Sequence, residues 1–168
     1  MTTFTAPYST ANPARQLYDD QGQCVVHIKP TPLPLSKQIV SVATSLLQLP
    51  LLLSFTSYDA EANPIFTLRH KLLSYELFVH ATNELVVVKD YQIQLMESGR
   101  KFTMADVPFK VELDLAYNAT LYCRDSALVR LQTFDNGWQR ERDTYTLEPQ
   151  VDSTFVHLLS LLATTFTR

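Results

Sequence analysis

Arg69, Lys71, Lys89, Arg100 and Lys101 are the side chains of this chain whose type and spacing suggest binding chemistry. Arg69-His70-Lys71 closes one strand-like run, Lys89 closes another, and Arg100-Lys101 follows a glycine. Guanidinium and ammonium donors brought to one rim would hold phosphate oxygens through charge-assisted hydrogen bonds. The competing use of such residues is a solvated strand end whose charge discourages edge pairing. The whole chain gives no help, because 14 Lys and Arg against 17 Asp and Glu leave a formal charge of −3. Long-range attraction to nucleic acid is therefore not expected.

Other chemistry finds no motif. There is no Gly-x-Ser-x-Gly, no glycine-rich phosphate loop and no Cys-His arrangement of known spacing, so no catalytic residue is assigned. His27, His70, His80 and His157 lack the HxxH and HExxH spacings, and neither a metal nor another cofactor is expected. His157 falls in an apolar helix and is expected to be a hydrogen-bonded core histidine. Cys24 and Cys123 lie in apolar strand-like runs and are expected as buried thiols.

These residues need a scaffold, and 168 residues with 46% apolar and 18% charged side chains suffice for one domain with a real core. Phe109-Lys-Val-Glu-Leu-Asp-Leu115 alternates strictly, with Lys110, Glu112 and Asp114 on the solvent side, which marks a one-sided antiparallel strand. Comparable runs make about ten to twelve strands, separated by turns such as Asp19-Asp-Gln-Gly22, Glu61-Ala-Asn-Pro64 and Glu97-Ser-Gly99. Leu17-Tyr-Asp-Asp-Gln-Gly22 and Ser57-Tyr-Asp-Ala-Glu-Ala62 repeat one hairpin pattern. A short helix is expected over 36–48, stopped before Pro50, and residues 1–14 are expected as a loosely held arm. Trp138 is read as a lid over one end of the sheet. The uncharged stretch Gln38–Tyr58 is broken by Pro50 and is not read as a membrane span.

The C-terminal stretch from Asp152 to Phe166 is apolar over most of its helical circumference. A helix of that kind must be surrounded, and a closed antiparallel barrel is the natural container. The fold class is therefore mainly β, a barrel around a buried C-terminal helix.

Leu128-Val-Arg-Leu131, Trp138, Asp143-Thr-Tyr-Thr-Leu147 and Val151-Asp152 before the apolar helix resemble the ending of bacterial tubby-like and plant LURP-one-related proteins. Tyr58-Asp59 and Ile65-Phe-Thr-Leu-Arg-His-Lys71 resemble an earlier unit of the same tubby C-terminal-like superfamily, although Glu61-Ala-Asn-Pro64 lacks its glycine. The resemblance implies a twelve-stranded barrel and, through relatives in fold that include the phospholipid scramblases, lipid head groups as the ligand class. The expected function is a non-enzymatic binding module for anionic phospholipid or another membrane-associated ligand. A protein-interaction domain without a small ligand is the alternative, and a hydrolase or lipid-modifying enzyme the third reading. The opening residues lack a basic and apolar leader pattern, so a cytoplasmic location, peripheral at the membrane, is expected.

Overall fold

The computed structural model of the chain describes residues 1–7, 15–31, 54–71, 74–94, 97–135 and 140–165. The expected helix over 36–48 and the Trp138 lid lie outside these residues. Twelve strands are present: β1 (Thr2–Pro7), β2 (Arg15–Tyr18), β3 (Cys24–Pro30), β4 (Ser54–Tyr58), β5 (Pro64–His70), β6 (Tyr75–Val79), β7 (Glu84–Gln94), β8 (Glu97–Met104), β9 (Val107–Leu113), β10 (Ala119–Cys123), β11 (Ser126–Asp135) and β12 (Arg140–Leu147). Each pairs antiparallel with its sequence neighbour, and β1 pairs with β12, so the sheet closes on itself. Closure leaves no open edge. One helix, α1 (Thr154–Ala163), follows β12.

Alternation decides which side chains fill the interior. On β9 Phe109, Val111 and Leu113 are buried, and on β6 Tyr75, Leu77 and Val79. The strand read as ending at Leu115 stops at Leu113 instead. Asp114 accepts the backbone N–H groups of Ala116 (2.8 Å) and Asn118 (2.9 Å), and this turn throws Leu115 into solvent. The two repeated hairpins are built the same way, Asp19 accepting from Gln21 and Gln23 and Asp59 from Asn63. Gly22 and Ala62 hold matching left-handed positions, with φ of 75° and 65°.

Two further elements differ from expectation. Thr2–Pro7, placed in a loose arm, is β1, paired over six residues with β12 and burying Phe4 and Ala6. Residues 8–14 lie outside the described ones. Glu97-Ser-Gly99 is not a turn but the start of β8, paired with the end of the long strand Glu84–Gln94. The barrel seam explains the Asp-x-Tyr pattern: buried Asp143 meets Arg15 at 3.4 Å, tying β12 to β2 across β1, while Tyr145 sits fully buried in the core.

Residues Val156 to Leu162 of α1 are all buried. Seven consecutive residues are about two helical turns, so the helix has protein on every side. Burying its leucines is worth about 1.5–3 kcal/mol each relative to exposure. Asp152 starts the helix by accepting the Thr154 N–H at 2.7 Å; Ser153 makes no capping bond. No described helix is long and apolar enough to cross a membrane.

Candidate functional site

The pleat sorts the five candidate cations. Phe102 and Val88 face the interior, so on β8 the neighbours Arg100 and Lys101 must point to opposite sides of the wall. Lys101 is outside and exposed, whereas Arg100 is inside and 2% exposed. Arg69, Lys71 and Lys89 are exposed on the outer wall. Arg100 therefore does not join the other four at one surface.

Its guanidinium instead holds the end of α1. Arg100 donates to Leu162 O and Thr165 O, both at 2.9 Å, and to the Thr165 hydroxyl. It donates through Nε to Asp90 at 2.8 Å and lies 4.0 Å from the centre of the Tyr75 ring. A helix C-terminus leaves unpaired carbonyls and a partial negative charge, and Arg100 satisfies both. Burial pushes the Tyr75 phenol above its ordinary pKa, the nearby guanidinium acting in the opposite direction.

On the outer wall the register assembles a row that no sequence run displays. Lys89 is directly opposite Lys101, and Lys101 is directly opposite Lys110. Paired side chains on adjacent antiparallel strands stand about 5 Å apart at Cβ, so three ammonium groups share one narrow band across β7, β8 and β9. Lys71 lies one strand pair further along, its N–H bonded to Ser74 O at 2.8 Å. Not all these charges are free: Lys71 pairs with Glu76 at 3.1 Å and Lys110 with Glu112 at 3.0 Å. The hydrogen bond to Glu112 raises the Lys110 pKa above its ordinary value. Among the described residues, no carboxylate lies within ion-pair distance of Lys89 or Lys101.

Tyrosines flank the row. The Lys101 ammonium lies 5.7 Å from the Tyr91 ring centre and that of Lys110 lies 4.8 Å from Tyr122. Tyr91 is held by Gly99, the residue opposite it: a Cβ there would come within 2.8 Å of the ring and 2.7 Å of Val111 O. That close approach is why a glycine stands inside a strand. Burial, followed by the Glu112 carboxylate, raises the Tyr91 pKa. Beside the row runs an open groove of about 490 Å³, lined by Val87, Lys89, Lys101, Phe102, Thr103, Pro108 and Phe109.

Two further polar groups bear on chemistry. The Thr67 hydroxyl lies 2.9 Å from His80 Nε2 and 2.9 Å from the Thr56 hydroxyl. Thr67 is 5% exposed and Thr56 3%, so the hydroxyls tie β4 to β5 and are closed to a substrate. His157 is buried in α1 as expected, but its Nδ1 has no hydrogen-bond partner among the described residues. The expected hydrogen-bonded core histidine is corrected in that respect. Burial depresses the pKa of His157 to about 4, against the opposing pull of Asp59 and Asp152. Cys24 and Cys123 are free and only half buried, because both lie at strand ends.

With this geometry in hand, comparison with known proteins gives one informative likeness. No protein-family profile and no curated protein sequence matches the chain. A protein of Arabidopsis thaliana with a known crystal structure superposes on 99% of this chain and 92% of its own, with a TM-score of 0.63 and 14% identity. The two share a fold. At that identity the likeness covers the barrel and its helix, and no residue of the lysine row is transferred from it.

Proposed function

We propose that the chain is a non-enzymatic barrel of the tubby-like kind that docks on anionic phospholipid head groups through Lys89, Lys101 and Lys110. The tubby-like part rests on the twelve-strand closure and on a terminal helix buried along seven consecutive residues. The observation that carries the functional part is the Lys89–Lys101 pair. Like charges directly opposite on adjacent strands destabilise a sheet, and no carboxylate among the described residues offsets this one. A phosphate lying across the pair would. Lys110 and the Tyr91 and Tyr122 rings extend the band, giving a surface rather than a pocket for a single deep ligand.

Several considerations support a membrane surface. β7 to β9 carry four acidic and four basic residues, and it is the register that sets Lys89, Lys101 and Lys110 side by side on the outer face, a basic band on a chain of net charge −3. The anionic cytoplasmic leaflet attracts basic side chains with about 1 kcal/mol each, falling off within a Debye length. The test is flotation with neutral and anionic vesicles at low and physiological salt. Salt-sensitive binding to anionic vesicles alone is expected. Absence of binding to either would reject the head-group reading and leave a protein-interaction role as the better account.

A further inference from the structure

We infer that β7 carries a membrane-inserting edge, in which Leu85 and Val87 enter the acyl boundary while the lysine row holds the phosphates. The inference rests on the head-group reading and says how the barrel lies on the bilayer. Leu85, Val87 and Lys89 are two residues apart on one strand and so share the outer face. Leu85 is 57% exposed and Val87 50%, whereas the intervening Val86 and Val88 are 3% and 0% exposed. The inner pair carries the core, so the outer aliphatics are not required by the fold.

Their neighbours are apolar in part: Val87 is opposite Glu76, whose carboxylate is held by Lys71 at 3.1 Å. Leu85 is opposite Phe78 on β6, and Val87 shares with Pro108 the groove that Lys89 and Lys101 line. Glu84, the next residue along, is drawn away by the Ala105 N–H, which it accepts at 3.0 Å. Phe134, 40% exposed, has the Arg142 guanidinium 5.1 Å from its ring centre. Aliphatic side chains beside a cationic band match an interface with charge at head-group level and hydrocarbon below it. A soluble phosphate would use the lysines and leave Leu85 and Val87 in water, which is why the occupant is a bilayer.

The test places a reporter at the edge, Leu85→Trp in a Trp138→Phe background, with neutral vesicles, vesicles containing phosphatidylserine, and the latter with brominated acyl chains. The inference predicts a blue shift on anionic vesicles and quenching by bromine. Leu85→Ser with Val87→Ser should lower partitioning about tenfold, as partial burial of two aliphatic side chains implies, with an unchanged unfolding transition. Full binding with an unshifted, unquenched reporter and no effect of the serine pair overturns insertion and keeps the head-group reading. If neither protein floats with anionic vesicles, both fall together.

Discussion

Replacing Arg100 with methionine should cost this barrel about 2–5 kcal/mol, a charged hydrogen bond to the helix end together with a cation–π contact. Methionine preserves most of the side-chain length and apolar volume, so the loss is electrostatic rather than a cavity. Leu162 O keeps the Thr165 N–H at 3.2 Å and the Thr165 hydroxyl at 2.9 Å, but Thr165 O loses its donor, and a buried acceptor left unpaired costs about 1–3 kcal/mol. The contact with Tyr75 at 4.0 Å disappears as well, worth about 0.5–2 kcal/mol. Asp90 contributes little, because its side chain is 60% exposed and water replaces the lost partner. Asp90→Asn should therefore cost under about 1 kcal/mol by the same reasoning. Urea unfolding of the wild type, Arg100→Met, Arg100→Lys and Asp90→Asn measures these differences directly. Lysine keeps the charge but not the fork that reaches both carbonyls, so it should recover less than half the loss. A loss under about 1 kcal/mol for Arg100→Met, below the cost of one unpaired buried acceptor, would refute the assignment of Arg100 as the clamp on α1.

His157 makes stability depend on pH. Its pKa is depressed from 6.5 to about 4 in the fold, so the unfolded chain takes up the proton first; the contribution is intact above about pH 6.5 and is lost as pH falls towards 4. The slope in that window should approach 1.4 kcal/mol per pH unit. His157→Leu should flatten it, as read by urea midpoints between pH 4.5 and 7.5. Ala62→Gly should stabilise by about 1 kcal/mol, because φ of 65° costs an L-residue roughly that much and glycine almost nothing; thermal unfolding checks it.

The barrel was legible because alternation survives where residues face a core on one side only. Phe109, Val111 and Leu113 announce β9, and the helix announces itself by lacking a polar face. β1 escaped notice because Phe4 and Ala6 are its two buried residues among threonines. Gly99 suggested a turn because the sequence does not reveal that Tyr91 will lie over it. The candidate site was legible only in part. Arg100-Lys101 looked like one basic patch, yet adjacent residues of a strand face opposite sides. Applied at that dipeptide, the period-two rule would have sent one of the two indoors. Lys110 was visible as a solvent-facing residue of its strand, but its place beside Lys101 is set by register, and register depends on turn geometry and core packing across strands. That the Nδ1 of His157 has no partner among the described residues was likewise hidden, since a partner is a property of three-dimensional neighbours.

The central claim is that the Lys89–Lys101 pair is held against its own repulsion because it binds anionic lipid. Lys89→Gln with Lys101→Gln should be measured for thermal stability and for partitioning onto phosphatidylserine vesicles in the same buffer. The account predicts opposite movements: stability rises by a few tenths to about 1 kcal/mol as the like-charge pair is removed, and partitioning falls roughly thirtyfold, at about 1 kcal/mol per lysine. Unchanged partitioning of the double variant would contradict the account, whatever its stability.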